Sequence, residues 1–350
     1  MNNYARADIQ RIAGYTPGEQ PTMPRLIKLN TNENPYPPSP AVAAALAGLD
    51  WKALRRYPEP SGRIVRQAAS LLYGIPESRI FCGNGSDDLL TIAVRTFVGA
   101  GEAFAFPEPS YSLYPVLAAL QGAQPKPIQL TEDFNLPDDF AQQCAGARLV
   151  IIARPNAPTG NAFPKERVRQ LASELDAILW IDEAYADFAE DNCLDMVDQF
   201  PNVVVSRTLS KSYSLAGLRL GLAFAREEVI FEMNKLKDSY NVDAIAQAVA
   251  VAALRDSRHL QITTNRIRHT REDTAAALKR LGCDVLPSQA NFLFVRPAKA
   301  PAAQLFAQLR ERGLLVRYFA LPRVDDRVRI TIGTDAEMQE LLAAWHELDQ

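Results

Sequence analysis

The chain passes from an apolar run to polar residues in Ile178-Leu179-Trp180-Ile181-Asp182-Glu183-Ala184-Tyr185. The four apolar residues predict a buried strand of a parallel sheet. A carboxylate at the end of such a strand is expensive to bury without a partner, and a cationic ring nitrogen of a ligand would supply one. Tyr185 would face the same pocket if a helical turn follows. The alternative is that Asp182 only caps a helix.

Similar apolar runs recur along the chain, and amphipathic stretches such as residues 86–98 and 165–175 separate several of them. The runs are 79–82, 103–106, 126–130, 148–153, 177–182, 203–207 and 218–225. The alternation predicts an α/β fold with a mostly parallel seven-stranded sheet between helices. Ligands of such sheets bind beyond the carboxyl ends of the strands, so the residues after each run are candidates for a site.

Three parts are predicted along the chain. Residues 1–40 would form an extended arm, because proline lacks an amide donor and clashes inside helices. The prolines of this part are Pro17, Pro21, Pro24, Pro35, Pro37, Pro38 and Pro40. A disordered terminus is the alternative. Residues 41–255 would form the large domain and residues 256–350 a smaller α+β domain, with helices at 227–255, in one or two pieces, and at 260–281.

The charges of the chain almost cancel, since 38 Lys and Arg stand against 41 Asp and Glu in 350 residues. This balance argues against a nucleic-acid binder and against a polybasic membrane-surface protein. Four scattered cysteines without a CxxC pair, and three distant histidines, favour neither a disulfide framework nor a metal site. A polar N-terminus, and apolar runs shorter than the ~20 residues of a membrane span, predict a cytoplasmic protein.

Two loops that follow strands combine glycine or proline with polar residues. The stretch Gly83-Asn84-Gly85-Ser86-Asp87-Asp88 opens a predicted helix, whose first amides would attract a phosphate. An ordinary strand–helix turn explains this stretch equally well. The stretch Arg154-Pro155-Asn156-Ala157-Pro158-Thr159-Gly160 predicts a rigid loop, which suits holding a polar group against a ligand or is plain turn chemistry.

A lysine among small hydroxyl residues follows the sixth run, in Ser210-Lys211-Ser212-Tyr213. Lys211 is a candidate for Schiff-base formation, which requires a pKa lowered by nearby positive charge or by desolvation. Arg219, eight residues later, is a candidate partner for a phosphate. A solvated surface charge is the alternative for any one such lysine. The order of four such sites along successive strand ends favours the functional interpretation.

Taken together, these motifs resemble the fold-type I aminotransferases that depend on pyridoxal phosphate (PLP). Within that class the chain is most similar to the histidinol-phosphate aminotransferase family, over essentially its whole length. The residues that carry this second resemblance are Gly14-Tyr15-Thr16-Pro17-Gly18-Glu19-Gln20, Lys28-Leu29-Asn30-Thr31-Asn32-Glu33-Asn34-Pro35-Tyr36, Arg56-Tyr57-Pro58-Glu59-Pro60 and Arg329-Ile330-Thr331-Ile332-Gly333.

The resemblance implies a role for each matching residue. Lys211 would form a Schiff base with PLP and then move the substrate Cα proton, while Asp182 would pair with the protonated pyridine nitrogen. Tyr185 would hydrogen-bond the cofactor O3′, and Tyr111 would stack on the ring. The cofactor phosphate would be held by the backbone amides of Ser86 and Asp87, by Ser210 and Arg219, and by Tyr57 from the other subunit. A homodimer with shared active sites is therefore implied.

One residue departs from the pattern that the family often shows. A second asparagine usually contacts O3′, and this chain has Ala157 there, directly after Asn156. Either Asn156 takes over this contact or Tyr185 makes it alone. For the substrate, the resemblance implies that Arg329 binds its anionic group, Arg317 and Tyr15 its phosphate, with Tyr15 reaching across the dimer interface. Asn241 and Asn291 are weaker candidates for the pocket lining.

The activity implied is ping-pong transamination between L-histidinol phosphate and 2-oxoglutarate. The products would be imidazole acetol phosphate and glutamate, in a late step of histidine biosynthesis. The main alternatives on the same fold are an aromatic amino-acid aminotransferase and a PLP-dependent decarboxylase of a phosphorylated amino acid. A non-catalytic PLP-binding regulator and a nucleotide-dependent oxidoreductase are less favoured, because the chain lacks an evident DNA-binding module and a full glycine fingerprint.

Overall fold

A seven-stranded sheet forms the centre of the larger part of the chain. The computed structural model describes residues 4–22 and 25–349, so residues 1–3 and 23–24 of the predicted arm, and residue 350 of the predicted small domain, lie outside the described residues. The strands of the described part are β1 (Ile27–Lys28), β2 (Ile80–Gly83), β3 (Ala103–Glu108), β4 (Gln124–Gln129), β5 (Ala147–Ala153), β6 (Ile178–Asp182), β7 (Val203–Thr208), β8 (Gly221–Phe224), β9 (Asp284–Val285), β10 (Phe292–Arg296), β11 (Leu314–Leu315), β12 (Arg317–Tyr318) and β13 (Val328–Thr331).

Helices lie between most of these strands, as the alternation of the sequence predicts. Those of the described part are α1 (Pro40–Ala47), α2 (Arg63–Tyr73), α3 (Ser86–Phe97), α4 (Leu113–Gln121), α5 (Phe140–Gln143), α6 (Lys165–Glu174), α7 (Met196–Gln199), α8 (Glu227–Asn234), α9 (Ala244–Arg255), α10 (Ser257–Arg280), α11 (Ala302–Glu311) and α12 (Asp335–Leu348). The predicted helical stretch 227–255 therefore forms two helices. The predicted helix 260–281 begins three residues earlier, because the Asp256 side chain accepts the His259 amide and caps it.

The large sheet has the strand order β2-β8-β7-β6-β5-β3-β4. Only β8 runs antiparallel to its neighbours among the described strands of this sheet. Because β5, β6 and β7 are parallel, their carboxyl ends meet at one edge. The predicted α/β fold with a mostly parallel seven-stranded sheet is confirmed.

Both faces of this sheet are covered, which explains why its strands are apolar runs rather than alternating ones. On β6, Leu179 and Ile181 pack into one core cluster, whereas Trp180 packs into a second cluster on the opposite face. A polar residue in this strand would therefore be buried on either face. Asp182, the polar residue at its last position, is buried as well and lies at the sheet edge.

The C-terminal part has its own antiparallel sheet, with strand order β12-β13-β10-β9, packed on α10, α11 and α12. The N-terminal segment joins this part. Ile27 and Lys28 pair in parallel with Leu314 and Leu315, and Leu29 is buried in the same core. We propose that the large and small domains divide between residues 255 and 256, where α9 ends and α10 begins. None of the helices in the described range is both long and apolar enough for a membrane crossing.

Candidate active site

A cavity of about 180 Å³ lies at the edge of the sheet where the parallel strands end. Polar residues from separate strand ends line this cavity, together with parts of the N-terminal segment and of the small domain. Eleven of the predicted site residues contribute to its lining: Tyr15, Ser86, Asp87, Tyr111, Asp182, Tyr185, Ser210, Lys211, Arg219, Arg317 and Arg329. The fold thus brings together residues as far apart in the sequence as Tyr15 and Arg329.

The amine of Lys211 projects into this cavity from the loop after β7. Its Nζ donates a hydrogen bond to the Thr31 carbonyl at 2.9 Å. Burial lowers the pKa of Lys211 to about 8, and the positive charge of Arg329 acts in the same direction, while Glu33 opposes it. A lysine with this pKa offers a substantial fraction of free amine near neutral pH, which nucleophilic attack requires.

Asp182 ends β6 with a buried carboxylate. Its Oδ1 accepts hydrogen bonds from the Ala184 amide at 3.2 Å and from Ser206 Oγ at 3.3 Å. Burial raises the pKa of Asp182 to about 6, and these two donors oppose that shift. Within the described part of the chain, no Lys, Arg or His forms an ion pair with Asp182. The carboxylate therefore fits a cationic group of a ligand.

Tyr185 lies close to the lysine, with Lys211 Nζ at 5.9 Å from the centre of its ring. Its Oη accepts a hydrogen bond from Asn32 Nδ2 at 2.8 Å, and burial raises the pKa of Tyr185. Asn32 has a positive φ of 57°, a conformation that asparagine tolerates better than most residues. Thr331 fixes Asn32 with two hydrogen bonds. Thr331 Oγ1 donates to Asn32 Oδ1 at 3.1 Å and accepts a hydrogen bond from the backbone amide of Asn32 at 3.0 Å. Asn32 thus orients the tyrosine hydroxyl.

One end of the cavity is arranged for an anion. It combines the N-terminus of α3, the guanidinium of Arg219 and the hydroxyl of Ser86, whose buried Oγ has no hydrogen-bond partner in the described part of the protein. Arg219 Nη1 lies 3.3 Å from Ser210 Oγ. Gly85 leaves space for this arginine, because a Cβ there would lie 2.6 Å from Arg219 Nη2. Free helix amides, a hydroxyl and a guanidinium are typical phosphate ligands.

An aromatic ring lies next to this anion site. Tyr111 Oη donates a hydrogen bond to Asp87 Oδ1 at 3.0 Å. The ring of Tyr114 meets Tyr111 edge-on, with centroids 5.7 Å apart. A hydrogen bond at one end and an edge contact at the side fix the orientation of the Tyr111 ring, which is then available to stack on a planar ligand.

The opposite end of the cavity carries two arginines from the small domain. Arg329 Nη2 donates to the Asn30 carbonyl at 2.9 Å, whereas its buried Nε has no partner among the described residues. Both Arg329 and Arg317 lie over the ring of Phe319, at 5.4 and 5.5 Å from its centroid. Burial lowers the pKa of Arg329, and the charge of Arg317 adds to that shift. Two like charges held this close favour binding of a substrate anion.

The sequence model of class I and II aminotransferases matches residues 24–344. The chain belongs to this aminotransferase family. It is 46% identical to histidinol-phosphate aminotransferase of Syntrophotalea carbinolica over 343 residues, which are 98% of each chain. It is 44% identical to histidinol-phosphate aminotransferase 1 of a Nostoc strain over 349 residues, 99% of each chain.

A solved aminotransferase structure extends this similarity to three dimensions. The histidinol-phosphate aminotransferase of Sinorhizobium meliloti, in complex with pyridoxal-5′-phosphate, matches with a TM-score of 0.90 at 26% identity. The match covers 100% of this chain and 98% of that one. The donor set described above fits such a cofactor: an amine for its aldehyde, a carboxylate for its ring nitrogen and an anion site for its phosphate.

Asn156, one of the two candidates for the O3′ contact, lies outside the cavity lining. This residue is fully buried in its loop, where Nδ2 donates to the Pro109 carbonyl and to Thr159 Oγ1, and Oδ1 accepts from Ser110 Oγ at 2.7 Å. Its side chain is therefore occupied and does not line the cavity of this aminotransferase. The neighbouring Ala157 does line it. Of the two candidates for the O3′ contact, Tyr185 lines the cavity and Asn156 does not, and the contact itself stays a prediction.

Three other predicted residues also lie outside the cavity lining. Asn241 Nδ2 donates to the Cys82 carbonyl at 3.0 Å, on the far side of the glycine turn. Asn291 lies behind Asn32 and donates to its carbonyl at 3.0 Å, so it supports the lining instead of forming it. Tyr57 is 79% exposed and stacks on Tyr240, with centroids 4.3 Å apart. Its predicted contact across a dimer interface stays a prediction.

Tyr15 lines the cavity of its own chain, and its predicted contact across a dimer interface stays a prediction. Its ring meets Tyr111 at a centroid distance of 5.8 Å. The arm is held in this place by Glu19, which pairs with Arg310 and whose carbonyl accepts Asn30 Nδ2 at 2.8 Å. The position of Tyr15 depends on this long-range anchoring, which no local pattern indicates.

Several lining residues were not predicted as site residues, notably Asn30, Thr31, Asn32, Thr208 and Phe319. The alternation of asparagines at positions 30, 32 and 34 was a signal, since it places polar side chains on one side of an extended segment. In the described residues no cluster of three His, Cys, Asp or Glu is suited to hold a metal ion.

Proposed function

We propose that this protein catalyses the PLP-dependent transamination of L-histidinol phosphate with 2-oxoglutarate, which yields imidazole acetol phosphate and glutamate in histidine biosynthesis. The observation that carries the proposal is the Lys211 amine, with its pKa lowered to about 8, in a cavity that has two arginines at one end and a phosphate-type site at the other. The names of the relatives, at 44 to 46% identity over nearly the full chain, support the substrate.

The cofactor has a residue for each of its polar groups. When bound, PLP supplies a carbonyl that exchanges with the substrate amine and a ring that stabilises negative charge at the adjacent carbon. Asp182 would hold the ring nitrogen in its protonated form, because the buried carboxylate lacks a cationic partner in the described chain. Ser86, Ser210 and Arg219 would bind the phosphate, and the oriented hydroxyl of Tyr185 would bind O3′.

Lys211 would act as the general base and acid of the reaction. Its amine would remove the proton from the substrate Cα and return one to the cofactor carbon C4′. In the structure its Nζ is held by the Thr31 carbonyl at 2.9 Å, which supports a defined position for the free amine. Tyr111 and Tyr15 would shield this step from water, since their rings meet edge-on beside the cavity.

The two arginines would select the anionic substrates. The guanidinium of Arg329 matches either a phosphate or a carboxylate, so one residue would serve histidinol phosphate and glutamate in turn. Its Nε has no partner among the described residues, which supports a ligand contact there. Arg317 Nη2 donates a long hydrogen bond of 3.4 Å to the Thr16 carbonyl and would contact the phosphate of the larger substrate.

A homodimer with shared active sites is part of the proposal. Tyr57 is 79% exposed beside other exposed apolar side chains, among them Trp51 and Leu54, which supports an interface there. Across it, Tyr57 would reach the cofactor phosphate of the partner chain. We also propose the cytoplasm as the location, because all four cysteines are buried free thiols, which a reducing compartment suits.

Absorbance, trapping and kinetics test the proposal together. The purified protein should be yellow and should form a borohydride-reducible adduct with PLP at Lys211, found by peptide mass spectrometry. Lys211→Ala should lose this adduct, whereas the exposed Lys235→Ala should keep it. Histidinol phosphate should give a kcat/KM far above those of phenylalanine and tyrosine, with no release of CO₂. An unaltered adduct in Lys211→Ala, or a preference for an aromatic amino acid, would contradict the proposal.

A further inference from the structure

A network of buried charged and polar side chains lies behind the cavity and contributes nothing to its lining. Its members are Glu183, Asp187, Arg207 and Ser212, and three of them are at least nine-tenths buried: Glu183 at 1%, Arg207 at 6% and Ser212 at 2% exposure. Buried charges add little to stability compared with apolar residues of similar size. Stability therefore does not explain why these charged residues are buried together.

Arg207 joins the two carboxylates of this network. Its Nε lies 2.9 Å from Glu183 Oε2, and its Nη1 donates to Asp187 Oδ1 at 2.8 Å. The other oxygen of Asp187 accepts a hydrogen bond from Ser212 Oγ. Glu183 Oε1 is also bound, by the Cys193 amide at 2.5 Å. The Ser212 hydroxyl is thus connected to β7 and to the segment after β6 through one guanidinium.

Each acidic or hydroxyl member of the network adjoins a residue of the active site in sequence. Glu183 directly follows Asp182, and Ser212 directly follows Lys211. Asp187 comes two residues after Tyr185. Asp182, Lys211 and Tyr185, which line the cavity, are therefore each followed within two residues by a member of this one network.

The main chain at Lys211 has a second restraint. Asn34 Nδ2 donates to the Ser212 carbonyl at 3.0 Å, so both the side chain and the carbonyl of Ser212 are held. Among the described residues, the Lys211 side chain forms a hydrogen bond with the Thr31 carbonyl, at the far end of its four-carbon chain. An amine on a mobile four-carbon side chain can reach a defined point only if its Cα is fixed.

We propose that the Ser212–Asp187 hydrogen bond, held in place by Arg207 and Glu183, positions the main chain of Lys211 for Schiff-base formation and proton transfer. Ser212 and Asp187 are positioning residues in this proposal, since neither lines the cavity. Misplacement of a reacting group by about 1 Å lowers a rate roughly 100-fold. The inference rests on the proposed function, because it assigns Lys211 the central chemical role.

The test compares Ser212→Ala, Asp187→Ala and the double variant with the wild-type protein. Ser39→Ala is the matched control, because Ser39 is also buried, its Oγ also donates to a carboxylate, that of Asp256, and neither residue lines the cavity. We expect kcat to fall roughly 10- to 100-fold in each single variant of the network, with little change of KM. The double variant should be no slower than the slower single variant, since both changes break one hydrogen bond. Ser39→Ala should retain the wild-type kcat.

A second measurement does not depend on turnover. PLP is added back to the full-length chain after removal of cofactor, and the rate of borohydride-fixed labelling of Lys211 is followed by mass spectrometry. Ser212→Ala should label about tenfold more slowly than Ser39→Ala and reach the same final extent. Equal rates, or losses of kcat that multiply in the double variant, would overturn the positioning role. If the wild-type protein is labelled at Lys211 but does not turn over histidinol phosphate, the proposed substrate is contradicted. The labelling rates would still show whether the network positions Lys211.

Discussion

The Nζ of Lys211 donates a hydrogen bond to the carbonyl of Thr31, 180 positions earlier in the sequence. This contact brings the candidate catalytic amine from a strand end of the large domain to the segment that enters the small domain. The amine is therefore buried at the junction of two parts of the fold, where Arg329 of the small domain lowers its pKa further. The lowered pKa of Lys211 therefore arises only when the two parts of the fold come together.

Burial of the lysine predicts a pH dependence of stability. The pKa of Lys211 is lowered from 10.5 to about 8, so the unfolded chain binds more protons than the folded chain between these values. Unfolding free energy should then rise as the pH increases from about 8 to 10.5. In the cofactor-free protein, Lys211→Met should reduce this rise of the unfolding free energy by about 1–3 kcal/mol. Urea unfolding at both ends of the pH range measures the difference. An unchanged slope in this variant would show that the amine is solvated.

Asp182 should show opposite effects on stability and activity. Its pKa is raised to about 6 by burial, so the ionised carboxylate is unfavourable in the folded chain without cofactor, and stability falls as pH rises from about 4 to 6. Asp182→Asn should stabilise the cofactor-free chain at pH 7 by about 1–3 kcal/mol. The same change should lower kcat at least roughly 100-fold, because the charge opposite the ring nitrogen is lost. Thermal unfolding and steady-state kinetics measure the two effects, and a stability loss would contradict the argument.

Asn32 should act through Tyr185. Asn32→Gly removes the donor to the tyrosine hydroxyl without strain, because glycine adopts the positive φ of 57° readily. We expect kcat/KM to fall roughly 3- to 10-fold, as for the loss of one hydrogen bond. In a Tyr185→Phe background the same change should have little further effect. A full additional loss in that background would mean that Asn32 acts independently of the tyrosine.

Substitutions of Arg317 and of Arg329 should affect the two substrates differently. Arg317→Gln should lower kcat/KM for histidinol phosphate roughly 10-fold and that for glutamate less than about threefold. Arg329→Lys should lower both values roughly 100-fold, since a lysine cannot replace the guanidinium fork. The exposed Arg312, which pairs with Glu347 outside the cavity, provides the control Arg312→Gln. Equal losses for both substrates in Arg317→Gln would contradict its role as a phosphate contact.

Substitution of Asp349 should change the stability of the protein but not its activity. Its carboxylate accepts the amides of Ala298, Lys299 and Ala300 at 2.7 to 2.8 Å, and these donors lower its pKa although burial opposes them. The stabilisation should be present above pH 3.8 and should be lost as the pH falls through the lower folded-state pKa. Asp349→Asn should lower stability by about 1–3 kcal/mol without changing kcat, measured by urea unfolding. Asp273→Asn, on the surface of α10, is the matched control.

Much of the fold followed from local patterns in the sequence. The apolar runs predicted the strands of the large sheet to within a few residues, because burial on both faces requires uninterrupted apolar residues. The residue types at the strand ends then made Lys211 and Asp182 candidates for the chemistry, since parallel strands bring their carboxyl ends to one edge. Arg219 reaches the same edge because it lies just before β8, which is antiparallel to its neighbours. Strand pairing between β1 and β11 was not foreseen, because two residues are too short to show a period.

By itself, the sequence determined the α/β architecture and which strand ends carry an amine, a carboxylate and a glycine-rich turn, since these features are local in the chain. Only the tertiary structure decided which side chains reach the cavity. It turned Asn156 into its own loop, placed Tyr15 over its own chain's pocket, and brought Thr31 and Asn32 to the lysine and the tyrosine. The physical reason is that side-chain direction at these positions is set by hydrogen bonds or ring contacts with residues far away in the sequence, such as Ser110 and Pro109 for Asn156 and Tyr111 for Tyr15, which local periodicity does not encode.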